Sequence, residues 1–156
     1  MSAFQIVPLP PSLAQSVREA RSDGHGNTAL GLTAADAKPG YPCRVCLEDA
    51  EVGESVLLFS HSPFAGPRPY RSVGPVFIHA RGCAPYSRPS ELPRQLRQRP
   101  LSLRAFDAED RMVDAELVAG EEAEAAIGRL FSHGRTRYIH AHFARPGCFA
   151  ALVERG

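Results

Sequence analysis

Apolar positions along this chain fall into short blocks broken by prolines, glycines and charged turns, and the spacing inside each block predicts its conformation. Phe4 to Leu9 reads as a short strand that ends at Pro10-Pro11. Leu13, Val17 and Ala20 then recur at helical spacing through Arg21, and prolines suit the first turn of such a helix. A loop over Ser22–Asn27 leads into a short strand over Thr28–Thr33, and Lys38-Pro39-Gly40-Tyr41-Pro42 marks a second turn-rich passage. Ser55–His61 is a mostly buried strand, since Val56-Leu57-Leu58-Phe59 is apolar on both faces. A long loop, Ser62–Ser72, separates it from a second buried strand over Val73–His79. Ser90–Arg97 fits a short helix capped by Ser90.

The second half is more regular. Leu101–Asp107 and Met112–Val118 form a hairpin turning at Ala108-Glu109-Asp110-Arg111. Gly120–Phe131 is the longest helix, with Ala123, Ile127, Leu130 and Phe131 on one side and glutamates in its first turn. Thr136–Phe143 and Cys148–Glu154 form a last hairpin joined through Ala144–Gly147. Strands outnumber helices and no βαβ alternation is sustained. The expected fold is therefore α+β: a mainly antiparallel sheet with one longer helix and one or two short ones. At 156 residues the chain suits one globular domain spanning 1–156.

Composition changes this picture little. Apolar residues make up 44 % and charged residues 22 %, which supports a packed core and disfavours disorder. Thirteen glycines and fourteen prolines point to many irregular connections. The formal net charge of +1 gives no field that would recruit nucleic acid or an anionic membrane, so neither partner is expected. Arginines crowd residues 81–104 and acids crowd 107–124, and two such blocks screen each other where they are neighbours. The opening residues carry no basic, apolar leader, and the stretch Ser55–Pro67 is too short to span a bilayer. The expectation is a cytoplasmic protein with reduced cysteines, for which metal binding or thiol reactivity explains cysteine better than a disulfide framework.

Three patterns carry possible chemistry. Cys43-x-x-Cys46 with His79-x-x-x-Cys83 has ligand types and spacings that suit a tetrahedral zinc ion, with Cys43, Cys46, His79 and Cys83 as ligands and zinc as the possible cofactor. The more ordinary alternative is that these cysteines pack as small hydrophobes around a tight turn. The same Cys43-x-x-Cys46 pair also fits a thiol redox module, with Arg44 favouring a nearby thiolate, although little helix is expected after it. In the strand over Thr136–Phe143, period-two geometry puts Tyr138, His140 and His142 on one face, where a third histidine, His79 or His61, could complete a metal site. The ordinary alternative there is a solvated face on an edge strand. The loop Ser62–Ser72 presents Arg68, Tyr70 and Arg71, whose guanidinium forks could hold a small anionic ligand.

Tyr41-Pro42-Cys43-Arg44-Val45-Cys46-Leu47 with Gly53-Glu54, the block Gly74-Pro75-Val76-Phe77-Ile78-His79 with Cys83, and the ending Arg145-Pro146-Gly147-Cys148-Phe149 together resemble the signatures of a bacterial domain-of-unknown-function family, number 1203. That resemblance implies a bacterial origin and supplies no activity, substrate or cofactor. The leading functional expectation is a small-ligand-binding protein or enzyme. Its Cys/His/Arg site would form where Arg71, His79 and His140 converge beside Cys43 and Cys46, with His79, His140 and Cys43 as catalytic candidates and Arg44, Tyr70, Arg71 and His142 as ligand contacts. The rival from another class is a structural or interaction protein whose zinc serves folding alone.

Overall fold

The computed structural model describes residues 3–27 and 31–156. The first three residues of the predicted Thr28–Thr33 strand lie outside them. Two antiparallel sheets carry the fold. The larger has the order β1-β8-β7-β5-β6, from β1 (Phe4–Val7), β5 (Leu101–Phe106), β6 (Met112–Val118), β7 (Tyr138–Phe143) and β8 (Phe149–Arg155). The smaller has the order β2-β3-β4, from β2 (Gly31–Ala34), β3 (Ser55–His61) and β4 (Gly74–His79). The helices are α1 (Pro11–Ala20), the single turn α2 (Arg94–Arg97) and α3 (Ala123–Ser132), the last entered through a 3-10 turn over Gly120–Glu122. The α+β expectation is met, and no helix among the described residues is long and apolar enough to cross a membrane.

Alternation explains the larger sheet. Leu101, Leu103 and Ala105 of β5 share a buried cluster with Ile139, Ala141 and Phe143 of β7 and with Ala151 and Val153 of β8. The apolar face of α3, built from Ala123, Ala126, Ile127, Leu130 and Phe131, completes that cluster. Fully burying a leucine or phenylalanine contributes roughly 1.5–3 kcal/mol, so this stripe is the main source of stability. Entry to α3 is tight. A Cβ at Gly120 would collide with the carbonyls of Leu96 and Arg97 at the end of α2, so only glycine admits this crossing.

The smaller sheet packs Leu57, Phe59, Val76 and Ile78 against Ala14 and Val17 of α1. Val56 faces the other way, onto Ala35 and Ala50. β3 is mostly buried and apolar on both faces, with one exception among its apolar residues: Leu58 is 36 % exposed and looks into a cavity. The helix foreseen from Ser90 begins only at Arg94, after Pro93, because the residue before a proline is pushed away from helical backbone. The oppositely charged blocks of the sequence meet at Arg97 Nη2 and Glu124 Oε1, 2.6 Å apart.

Candidate functional site

Two turns, far apart in sequence, bring thiols and an imidazole together. The backbone around Cys43 lies along the edge of β4: Cys43 bridges Phe77, and the Arg44 N–H donates to the Phe77 carbonyl at 3.0 Å. The chain then reverses, with Leu47 in the left-handed region at φ 56° and the Cys43 N–H closing the loop onto the Glu48 carbonyl at 3.1 Å. This knuckle turns the Cys43 and Cys46 side chains to one side. Val45 is buried in the small-sheet core, while Leu47 plugs into the large one. His79 ends β4, opposite Val56 of β3. Past it, Gly82 takes φ 88° and its N–H reaches back to the His79 carbonyl at 3.4 Å, which returns Cys83 to the same place.

The four candidate ligand atoms of Cys43, Cys46, His79 and Cys83 all lie within 4.8 Å of one another. Cys43 Sγ and Cys83 Sγ are 3.7 Å apart, and Cys46 Sγ and His79 Nδ1 are 3.6 Å apart. A tetrahedral zinc ion with bonds of about 2.3 Å to sulfur and about 2.0–2.1 Å to nitrogen gives edges of about 3.8 Å between sulfurs and about 3.6 Å between sulfur and nitrogen. The residues present therefore fit zinc. The opposite side of the imidazole is also occupied: His79 Nε2 faces Glu54 Oε2 at 3.5 Å, and Arg18 Nε donates to the His79 carbonyl at 2.9 Å.

Without a metal the cluster must share its protons. Contacts with Cys46 and then Cys83 lower the Cys43 thiol, helped by His79 and the Cys46 N–H, while the Cys43 contact raises Cys46. Bonding to Cys43 and then Cys83 raises His79 to about 10. The contacts thus favour proton loss at Cys43 and retention at Cys46 and His79, an arrangement a divalent cation would replace with proton release.

The other candidates from the sequence are elsewhere. His140 and His142 are 3 % and 5 % exposed, so the solvated edge-strand face is corrected: β7 lies between β5 and β8, and its outer face is covered. His140 sits among Phe64, Phe106, Tyr138 and Phe149, with ring centroids 4.8–5.4 Å away. His142 Nδ1 meets the Gly147 carbonyl at 3.0 Å, and His61 packs on Phe149 at 5.7 Å. His140 lines a cavity of about 300 Å³ with Arg68, Asp110 and Tyr138, which does not include His79. Tyr70 packs edge-on to Phe106, on the side of His140, and Arg71 is exposed. The convergence of Arg71, His79 and His140 is therefore not what the fold builds; His79 joins the cysteines without them.

Arg44 points away from the knuckle and is 1 % exposed. Nε donates to the Phe149 carbonyl at 2.8 Å, Nη1 to the Pro42 carbonyl at 2.5 Å, and Nη2 to Cys148 Sγ at 3.1 Å. Burial lowers its guanidinium to about 10, and the Cys148 sulfur works in the opposite direction. Cys148 is a residue the sequence reading missed as a site. Its one signal there was its place in the Arg145–Phe149 block. It lines a cavity of about 660 Å³ together with Arg44, Arg99, Arg145, Leu58, Phe77 and Phe143.

A family model described as a protein of unknown function (DUF1203) matches residues 40–155, a span that holds the whole Cys/His cluster and the Arg44–Cys148 pair. No curated protein and no solved structure matches the chain.

Proposed function

We propose, taking as premise that this chain belongs to the DUF1203 family, that Cys43, Cys46, His79 and Cys83 hold one zinc ion whose role is to fix the fold. The observation that carries this reading is the spacing of sulfur and nitrogen atoms at the edges of a zinc tetrahedron. Four protein ligands close the coordination shell and leave no position for water or substrate, which marks a structural rather than a catalytic ion. The chain supplies three cysteine sulfurs that bind as thiolates, Cys43 being the one whose contacts most favour proton loss, and the Glu54 carboxylate that orients His79. All four cysteines are free, which suits the reducing cytoplasm.

The rival redox reading is weaker on physical grounds. A disulfide-exchanging pair needs an accessible thiolate at a helix N-terminus, whereas Cys43 has no exposed surface and stands on a turn. The ordinary packing reading leaves unexplained why an imidazole with a carboxylate behind it points at three thiols.

Protein purified without added metal is expected to contain one equivalent of zinc by elemental analysis. Cys83→Ser should lose the ion and melt at a lower temperature, while Cys148→Ser, outside the cluster, should keep it. A metal-free wild-type protein whose melting temperature is indifferent to added zinc would end this reading, because an ion that binds only the folded state must raise it.

A further inference from the structure

We propose that the 660 Å³ cavity bordered by β3, β4 and the β7–β8 turn is a binding site for a small organic monocarboxylate with an apolar body. The site is distinct from the metal cluster and goes beyond the structural role given to zinc.

Charge is the first argument. Three arginines, Arg44, Arg99 and Arg145, line this cavity, and among the described residues no aspartate or glutamate does. Their states differ. Arg99 forks onto both oxygens of Asp49, so its charge is already met within the fold. Arg145 is exposed at the rim, on the turn through Gly147. Arg44 is buried, yet its hydrogen-bond partners are two carbonyls and the Cys148 sulfur, and no carboxylate pairs with it among the described residues. A buried cation without a carboxylate partner is costly, and one carboxylate in the cavity would offset that cost. Arg145 presents the fork that a carboxylate takes bidentately, and the buried charge of Arg44 lies on the same cavity.

The walls set the rest of the ligand. Leu58, Phe77, Phe143 and five prolines form most of the surface, and the Phe143 ring lies under the Arg44 and Arg99 guanidinium groups at 4.9 and 5.1 Å. Proline fixes its own φ, so these walls are formed before anything binds and little ordering opposes the complex. The volume is that of ordinary small-molecule sites, roughly 300–1,000 Å³. A compact, strongly hydrated dianion would gain nothing from the apolar walls. A carboxylate carried on an aromatic or alkyl body uses both halves. Leu58 fits this assignment: a leucine more than a third exposed on an otherwise buried strand, facing the cavity, is accounted for by an apolar ligand laid across it.

The test is calorimetric titration of the zinc-loaded full chain with 3-phenylpropanoate, hexanoate, 3-phenylpropanamide and inorganic phosphate. The acids are expected to bind saturably, with the amide at least tenfold weaker and phosphate without saturable heat. Bound acid should also slow the alkylation of Cys148 by iodoacetamide. Leu58→Glu, which places a negative charge on a half-exposed wall, should abolish binding, and Arg145→Ala should weaken it several-fold. Zinc content measured on each variant separates loss of this site from loss of the metal. Equal affinity for acid and amide, saturable phosphate binding, unchanged binding by Leu58→Glu, or no saturable binding of either acid would each overturn the proposal.

Discussion

At the scale of single residues, the cluster was legible only in its ligands. The gaps Cys43-x-x-Cys46 and His79-x-x-x-Cys83 are each set by one local turn, and local turns leave a mark in sequence. Glu54 left none. It stands before β3 as an ordinary acidic turn residue, and it meets His79 because β3 and β4 pair with Val56 opposite His79. Its two oxygens do separate work: Oε1 accepts the Glu51 N–H at 2.7 Å, and Oε2 faces His79 Nε2. Glu54→Gln preserves an acceptor for the turn but removes the charge behind the imidazole. Loss of such a partner typically costs about 10–100-fold in metal affinity. Competition for zinc against a chromophoric chelator should show that loss while far-UV circular dichroism stays unchanged; an affinity equal to wild type would confine Glu54 to its turn.

At the scale of elements, β7 shows where pattern reading succeeds and where it stops. Its alternation correctly placed Tyr138, His140 and His142 on one face, but alternation is silent on whether that face meets water. Its neighbours decide this, and β5, which pairs directly with β7, is separated from it in sequence by β6 and α3. Covered by Phe64 and Phe149, His140 is lowered to about 3 and His142 to about 4, in both cases chiefly by burial, and His61 of β3 is likewise lowered to about 4. Like charges from Arg104 add to the effect on both β7 histidines, and Asp110 opposes it at His140. The folded values lie below the ordinary histidine value near 6.5. Above that value both states are neutral and stability is fully present. As pH falls below it, the unfolded chain takes up protons that the fold refuses, and stability drops until the folded groups titrate at about 3–4. Each histidine contributes a slope of up to about 1.4 kcal/mol per pH unit in that window. Urea denaturation near neutrality and about two pH units lower should show the loss, and the double substitution His140→Phe, His142→Phe should remove most of it. Both proteins share the thiolate cluster, so its own acid sensitivity cancels in the comparison. An identical slope in the two would mean that the β7 histidines are not the groups responsible.

At the scale of the whole molecule, the class of fold was readable and the assembly was not. Turn chemistry and alternation were enough to expect antiparallel strands with a longer helix late in the chain. That β1 pairs with β8, or that the strands divide into two sheets, depends on contacts between distant segments that no local pattern encodes. The division leaves cores of unequal strength: among the described residues, nineteen buried ones gather around the large sheet and α3, against nine between the small sheet and α1 and three more on the other face of β3. Burial contributes in proportion to apolar area, so the small unit has less to hold it. The Cys/His cluster compensates at that place. Its knuckle lies along β4, His79 ends the same strand, and Leu47 anchors the turn in the larger core. A zinc ion held there would act as a cross-link between the weaker layer and the stronger one. On chelation, amides of residues 42–49, β3 and β4 should therefore lose hydrogen-exchange protection well before those of β5, β7, β8 and α3, because local opening follows local stability. Simultaneous loss across both sheets would instead describe one cooperative unit, in which the ion stabilises the whole molecule evenly and has no particular layer to secure.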